Sequence, residues 1–244
     1  PLTSLWLDFI VHLYYTLLCS TSQSKLHRHN WNAHGKQEKQ INQNEKAIFL
    51  DKIQEVLYGK GYIEDELCGK RFIITADSFY QINHNQTEKL YSKAIEFANL
   101  QKNERILDAY CGVGTITILA SDFVKEAIGF EINKTAVNNA QENIKVNNCE
   151  NVKIFNCDAS NFEADKGFDT VFLDPPRAGC SYSFLRKLIK MKPRKIVYVS
   201  CNTETQARDL NTLTKTGYKV QKIQPVDMFP NTKHIETVVL LTKM

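Results

Sequence analysis

Two side chains in the last third of the sequence are candidates for chemistry. Cys201 stands in Tyr198-Val-Ser-Cys-Asn-Thr203, directly after an apolar run typical of a buried strand. A thiol at a strand end can attack an electrophile, although a buried structural cysteine is equally common there. Glu236 closes the motif Asp227-Met-Phe-Pro-Asn-Thr-Lys-His-Ile-Glu236 and enters the last apolar run. It is either a functional acid or a simple surface charge.

A third motif, Phe172-Leu-Asp-Pro-Pro-Arg-Ala-Gly179, follows another apolar run. Its consecutive prolines, Pro175 and Pro176, exclude helix and fix the backbone, so the Asp174 carboxylate is held rigidly at a strand end. A plain turn would not need this rigidity. The motif therefore favours a functional role for Asp174.

The fourth motif, Leu107-Asp-Ala-Tyr-Cys-Gly-Val-Gly-Thr115, is a glycine-rich loop. Gly112 and Gly114 allow a tight turn and a close approach of a cofactor, although such loops also bind dinucleotides or merely turn. Glu131, at the end of the following strand, could accept hydrogen bonds from both hydroxyls of an adenosine ribose; a surface acid is the alternative. By the same reasoning Asp158 would lie beside the adenine amino group.

The elements that position these motifs alternate regularly after Gln101. Strands are predicted at Arg105–Asp108, Ala127–Glu131, Val152–Phe155, Thr170–Leu173, Ile196–Val199, Tyr218–Ile223 and Ile235–Leu241, and helices at 115–124, 134–146, 184–190 and 204–215. This order predicts an α/β fold with a doubly wound, Rossmann-like, mainly parallel sheet. Because ligands of such sheets bind at the carboxyl ends of the strands, we expect the motifs to meet at one edge.

The part before this sheet is organised differently. Residues 1–45 are predicted to be an N-terminal segment ending in a polar linker, and 46–84 a small antiparallel β-rich appendage with strands near 56–58, 61–63 and 71–74. The catalytic domain is predicted at 85–244 and starts with an amphipathic helix, 86–99. The apolar stretch Leu5–Cys19 is too short to span a membrane, so no membrane association is expected.

Composition sets broad limits. With 244 residues, of which 43% are hydrophobic and 24% charged, the chain can bury a real core. A net charge of +4 is compatible with a nucleic-acid partner without demanding one. Seven cysteines with no C-x-x-C pair suggest neither disulfides nor a zinc ribbon, and so a reducing cytoplasm. Because His27, His29 and His34 lack acidic or Cys partners, no metal site is predicted.

The four motifs together, in this order, resemble the RNA uracil-5-methyltransferase family, and its bacterial 23S ribosomal RNA branch more than its transfer RNA branch. The resemblance covers about residues 55–244. It implies a class I fold that uses S-adenosylmethionine to methylate carbon 5 of a uridine in RNA, with Cys201 as nucleophile and Glu236 as base. Nothing in the sequence requires more than a monomer.

The resemblance also implies further site residues. The family's Phe-x-Gln-x-Asn element maps onto Phe79-Tyr-Gln-Ile-Asn83, where Gln81 is implied to contact the cofactor or the target base. The cofactor pocket is implied to include Tyr110, Glu131 and Asp174, with Asp174 also near the uracil, and to extend to Gly112, Thr115 and Asp158.

The sequence departs from the family at several places. Thr203 replaces a common proline and Asn231 a frequent histidine, which affects loop shape more than chemical groups. The RNA-gripping β-barrel and the four-cysteine iron-sulfur site of many members have no counterpart in residues 1–50.

Three other classes of protein fit the sequence less well. An amino-group methyltransferase would share the sheet but usually has an aromatic residue where Arg177 stands. A nicotinamide dehydrogenase is disfavoured because the loop lacks the third glycine. A non-enzymatic RNA-binding module would not need an intact Asp174, Cys201 and Glu236.

Overall fold

The computed structural model describes residues 59–76, 78–161, 167–232 and 235–244. All described residues belong to one compact unit. The predictions for residues 1–45, for the apolar stretch Leu5–Cys19 and for a strand at 56–58 lie outside the described residues.

Strands and helices alternate through the described part of the chain. Its elements are β1 (Tyr62–Leu67), β2 (Lys70–Thr75), α1 (His84–Ala98), β3 (Arg105–Asp108), α2 (Thr115–Ser121), β4 (Glu126–Glu131), α3 (Lys134–Val146), β5 (Val152–Asn156), β6 (Thr170–Leu173), α4 (Tyr182–Met191), β7 (Lys195–Ser200), α5 (Thr203–Thr214), β8 (Tyr218–Val226) and β9 (Glu236–Lys243). The sequence located each of these elements and placed most ends within two residues. Three ends differ by more: β1 extends to Leu67 instead of 63, α2 ends at Ser121 instead of 124, and β8 extends to Val226 instead of 223.

Seven strands form one sheet in the order β5-β4-β3-β6-β7-β9-β8. The first five in that order run parallel, and β9 lies antiparallel between β7 and β8. The predicted doubly wound α/β sheet is confirmed. The chain continues to one side of β3 through β4 and β5, then crosses to β6 on the other side, so the strand order reverses between β3 and β6. A reversal of this kind opens a crevice at the carboxyl ends of the strands.

The hairpin formed by β1 and β2 packs on the same core as the sheet. Leu67, Phe72 and Ile74 are buried, and they belong to a cluster that also contains Leu90 of α1 and Ile118 of α2. Contacts with the hairpin come mainly from α3, which packs along β2. The hairpin is therefore seated on the helix that follows Glu131.

Side chains cap the first turns of four helices. The side-chain oxygens of Asn133 and Asn202 accept hydrogen bonds from the first backbone N–H groups of α3 and α5, and those of Asn83 and Ser181 do so for α1 and α4. The short helix α2 has no side-chain cap; its N-cap residue is Gly114, whose φ of 86° lies in the left-handed region. A glycine is favoured there, and the glycine loop can turn sharply into the helix.

Candidate active site

The glycine loop, residues 108–115, begins with a buried acid. Thr117 Oγ1 donates to Asp108 Oδ2 at 2.7 Å, while Asp108 Oδ1 is buried and has no hydrogen-bond partner. Burial raises the pKa of this carboxyl to about 7, against the opposing effect of the Thr117 hydrogen bond. An unpartnered buried acceptor is costly, so this oxygen is suited to a donor brought by a ligand. Asp108 belongs to the glycine-rich motif, but the sequence predicted no role for it.

Glu131 lies against the backbone of the same loop. Its Oε2 accepts a hydrogen bond from the Gly112 N–H at 3.0 Å, and its Oε1 accepts one from the Asn133 N–H at 2.7 Å. Gly112 has a φ of 54°, and a side chain there would meet nothing within 4 Å. The half-buried carboxylate is thus oriented by two backbone donors beside an open stretch of loop, where carboxylate lone pairs remain for hydroxyl groups.

Three other predicted pocket residues lie in the glycine loop or after β5, at different depths. Thr115 is buried at the start of α2. Tyr110 points toward α4, where its ring meets Phe184 edge to face with 5.6 Å between ring centroids; burial raises the pKa of its hydroxyl, with smaller effects of Cys180 and Asp158. Asp158 is half-buried, and its Oδ1 accepts from the Ser160 N–H at 2.7 Å.

Strand pairing brings Cys201 and Glu236 together. Ser200, the last residue of β7, pairs with Thr237 of β9 in an antiparallel register. Continued by one residue, this register places Cys201 directly across from Glu236, and side chains in such positions point to the same face of a sheet. The pKa of the Cys201 thiol is consistent with this proximity, because it is raised mainly by burial and next by the Glu236 carboxylate.

Glu236 itself is almost fully buried. Only 6% of its surface is exposed, and burial raises the pKa of its carboxyl to about 7, with the Arg177 guanidinium acting in the opposite direction. A carboxyl with a pKa near neutrality can both accept and release a proton at physiological pH, which suits a general base. The structure thereby removes the surface-charge interpretation of this residue.

Asp174 connects the two groups of acids. Burial raises its pKa well above the usual value, and the neighbouring carboxyls of Glu236 and Asp108 add to the effect. Since β6 lies between β3 and β7 in the sheet, its carboxyl end places Asp174 between the glycine loop and the Cys201–Glu236 pair. This is the position expected for a residue that faces both a cofactor and a substrate.

Arg177 was not predicted as a site residue. Its backbone oxygen accepts hydrogen bonds from Asn202 Nδ2 and Thr205 Oγ1, both at 3.1 Å, which ties its loop to the start of α5. Its guanidinium lowers the pKa of the Cys201 thiol, both as a neighbouring charge and as a hydrogen-bond donor, against the larger effects of burial and Glu236. The sequence feature that could have identified Arg177 is its position, as a cation, in the rigid proline motif that also contains Asp174.

Gln81 lies in the segment before α1, and its side chain is buried. Asn83 of the same segment donates from Nδ2 to the backbone oxygen of Met228 at 2.8 Å. This bond joins the predicted Phe79–Asn83 element to the motif that ends in Glu236. The aromatic ring of Phe79, in contrast, is 68% exposed.

The described residues provide neither a metal cluster nor a membrane-spanning helix. Within the described ranges, no group of three or more His, Cys, Asp or Glu side chains is arranged to hold a metal ion. The histidines His27, His29 and His34 lie outside the described residues. Among the helices that the structure describes, none is long and apolar enough to cross a membrane.

The strand order is that of the class I methyltransferase fold. The acids at the carboxyl ends of β3, β4 and β6 lie where ligands of such sheets bind. Comparison with known families agrees: the model of the family described as tRNA (uracil-5-)-methyltransferase matches residues 3–244. The chain belongs to this family, as the sequence motifs predicted.

Relatives and solved structures support the same assignment. An uncharacterized RNA methyltransferase of Bacillus cereus is 44% identical over 203 residues, 81% of this chain and 44% of that protein, and one of Clostridium tetani is 44% identical over 207 residues, 83% and 45%. The chain thus spans less than half the length of these relatives. The Pyrococcus abyssi tRNA (uracil-54, C5)-methyltransferase in complex with S-adenosyl-L-homocysteine superposes with a TM-score of 0.67 at 38% identity, over 76% of this chain and 45% of that one.

Proposed function

We propose that this protein transfers a methyl group from S-adenosylmethionine to carbon 5 of a uridine in RNA, through a covalent bond between Cys201 and the base. The observation that carries the proposal is the pairing of Ser200 with Thr237 between β7 and β9. Continued by one residue, this register places Cys201 across from Glu236, whose carboxylate, like that of Asp174, acts on the thiol. Family membership supports the reaction class.

The residues at the carboxyl ends of β3, β4 and β5 fit S-adenosylmethionine. Asp108 Oδ1 lacks a partner and could accept from an ammonium group, while Glu131 is oriented for ribose hydroxyls. We assign the remaining contacts to Gln81, Tyr110, Gly112, Thr115, Asp158 and Asp174. When bound, the cofactor supplies a sulfonium-activated methyl group that an electron-rich carbon can accept. The Pyrococcus abyssi relative in complex with S-adenosyl-L-homocysteine supports the identity of the cofactor.

Cys201 and Glu236 divide the chemistry on the base. The thiolate of Cys201 adds to carbon 6 of the uracil, which makes an enolate and turns carbon 5 into a nucleophile. After methylation, Glu236 removes the proton from carbon 5, and the electron pair of that C–H bond re-forms the C5–C6 double bond as the Cys201 sulfur leaves. Asp174 and Gln81 hydrogen-bond the edge of the uracil and stabilise the enolate.

The substrate RNA has two candidates. Motif resemblance favours 23S ribosomal RNA, whereas the Pyrococcus abyssi structure is of a transfer RNA enzyme and favours uridine in transfer RNA. In either case the target base must leave its stack to reach Cys201. We place the enzyme in the cytoplasm, supported by the six free cysteines within the described residues. We also propose that it acts as a monomer.

Methyl incorporation tests the proposal. The chain, with radiolabelled methyl donor, should form 5-methyluridine in transcripts of 23S ribosomal RNA or of transfer RNA, as seen after digestion to nucleosides. Cys201→Ala should abolish incorporation while the affinity for S-adenosylhomocysteine stays within about threefold, because the thiol contacts the base and not the cofactor. Glu236→Gln should accumulate a protein–RNA adduct that survives a denaturing gel.

The runner-up is a methyltransferase acting on an amino group, which shares the sheet but has no use for Cys201. In that case Cys201→Ala would keep its activity, and the labelled product would be an N-methylated nucleoside or residue. Either result would rule out the covalent mechanism.

A further inference from the structure

Three asparagines on one face of α3 and its end hold the outer edge of β2. Asn147 accepts from the Arg71 N–H at 2.9 Å and donates to the Arg71 carbonyl at 2.6 Å. One helical turn earlier, Asn143 accepts from the Ile73 N–H at 2.6 Å and donates to the Ile73 carbonyl at 3.2 Å. Each amide thus satisfies both backbone groups of one strand residue.

The third asparagine continues the series. Asn139 Nδ2 lies 2.8 Å from Thr75 Oγ1 and 2.7 Å from Ser78 Oγ, at the exit of β2 toward the segment that contains Gln81. Four residues of helix rise about 6 Å and two residues of strand about 6.8 Å, so the two spacings match. We call Asn139, Asn143 and Asn147 the asparagine ladder.

Asn143 makes one contact that the other two do not make. Its Nδ2 also donates to the backbone oxygen of Val113 at 3.0 Å, within the glycine loop. The side chain is fully buried, so neither the loop carbonyl nor the strand groups can readily be satisfied by water instead. A single amide therefore connects the hairpin backbone to the turn between Gly112 and Gly114.

We propose that Asn143 is a positioning residue that sets the conformation of the glycine loop through Val113, and that this contact controls affinity for the methyl donor. This inference rests on the proposed function, which assigns the donor to the glycine loop. Asn147 provides a matched control, since it grips the same strand without reaching the loop.

The test compares Asn143→Ala with Asn147→Ala in the full chain. Calorimetric titration with S-adenosylhomocysteine should show affinity about tenfold weaker for Asn143→Ala and nearly unchanged for Asn147→Ala, as expected for loss of a buried hydrogen bond that only Asn143 makes to the loop. Hydrogen exchange should speed up in peptides covering 109–115 only in Asn143→Ala, while both variants loosen β2. If Asn143 had only a structural role, both variants would lower Tm, and neither affinity nor exchange of the loop would differ between them.

Two further variants keep the outcomes separate. If Asn143→Ala does not fold, Asn143→Asp retains the acceptor for the Ile73 N–H and loses the amide donors, and it should show the same loss of affinity. Glu131→Ala tests the donor site itself. Unchanged affinity in Glu131→Ala would refute the proposed cofactor site, whereas a loss there with equal affinities in the Asn143 and Asn147 variants would refute only the positioning role.

Discussion

Burial and two carboxyl groups work against ionisation of the thiol that is proposed to start the reaction. Burial and Glu236 raise the pKa of Cys201, Asp174 adds to the effect, and Arg177 acts in the opposite direction. The thiol is therefore mainly protonated at neutral pH, and the thiolate fraction grows as pH rises. Because Glu236, with a pKa of about 7, is also more competent as a base when ionised, activity should rise with pH through the neutral range.

Removal of the Arg177 charge should make Cys201 less reactive. Arg177→Gln takes away the group that favours the thiolate, so alkylation of Cys201 by iodoacetamide should be roughly fivefold slower at pH 8 and its pH profile should move to higher pH. Peptide mass spectrometry after timed alkylation measures this rate.

Arg177→Lys keeps the charge and should react at close to the native rate. The exposed thiol of Cys68 serves as an internal control, since it should react equally in all variants. An unshifted Cys201 profile in Arg177→Gln would show that the guanidinium does not act on the thiol.

The site could be predicted from the sequence where a motif gave each residue a distinct role. Cys201 and Asp174 directly follow strands and Glu131 ends one, so their common edge was predictable from the mainly parallel sheet. Asp108 and Arg177 were missed, because their importance depends on an unpartnered buried oxygen and on proximity to a thiol. Neither property is visible in residue type or spacing.

Among the elements, β4 shows how closely the sheet supports the glycine loop. A side-chain carbon at Gly129 would lie 2.4 Å from Ile154 Cδ1 and 2.8 Å from Cys111 Sγ. Cys111 belongs to the loop, and its N–H donates to the Phe130 carbonyl at 3.0 Å. The absence of a side chain at Gly129 therefore allows the loop to sit directly on β4.

Gly129→Ala should displace the loop. Overpacking at this position should cost about 1–3 kcal/mol of unfolding free energy, and it should weaken binding of S-adenosylhomocysteine as Cys111 is pushed away. Thermal unfolding and calorimetric titration measure the two effects.

Ala127→Gly on the same strand is the matched control. It removes a buried methyl group and should destabilise by about 1 kcal/mol without altering affinity. Equal affinities in the two variants would mean that β4 does not position the loop.

The sequence predicted the strands and helices but not the pairing of β7 with β9, which places Cys201 across from Glu236. Hydrophobic periodicity located β7 and β9, yet the register between Ser200 and Thr237 depends on long-range packing. The juxtaposition of Cys201 and Glu236 could therefore be expected only from the family resemblance. The extension of β8 to Val226 was missed for a related reason, since most of its side chains are exposed and its pairing with β9 includes an irregularity at Val220.

Across the whole molecule, Glu104 ties together segments that are far apart in sequence. Its buried carboxylate accepts from Lys195 Nζ at 3.1 Å, from Arg194 at 3.1 Å and from Thr170 Oγ1 at 3.3 Å. Lys195 Nζ also donates to the carbonyl of Asn99. One acid thus joins the strands β6 and β7 to the segment between α1 and β3, at the edge opposite the active site.

Glu104→Gln should destabilise the whole fold without changing the chemistry of the site. Removal of the buried charge leaves the ammonium of Lys195 poorly paired, at a cost on the order of 3 kcal/mol. Arg194→Ala, which removes a largely exposed partner, should cost less than about 1 kcal/mol.

Denaturant unfolding of both variants measures the difference. If Glu104→Gln lost as little unfolding free energy as Arg194→Ala, the network would be too solvated to contribute to stability. A changed methylation rate per folded molecule would contradict its separation from the active site.

The central claim is that Cys201 bonds to carbon 6 of the target uracil. RNA transcripts containing 5-fluorouridine test it most directly, because fluorine at carbon 5 leaves Glu236 no proton to remove and the adduct should persist. With S-adenosylmethionine present, we predict a slower band on a denaturing gel, mapped by mass spectrometry to the peptide containing Cys201 and absent in Cys201→Ser. Methylation of natural RNA without any adduct on the fluorinated RNA, or an adduct that persists in Cys201→Ser, would contradict the account.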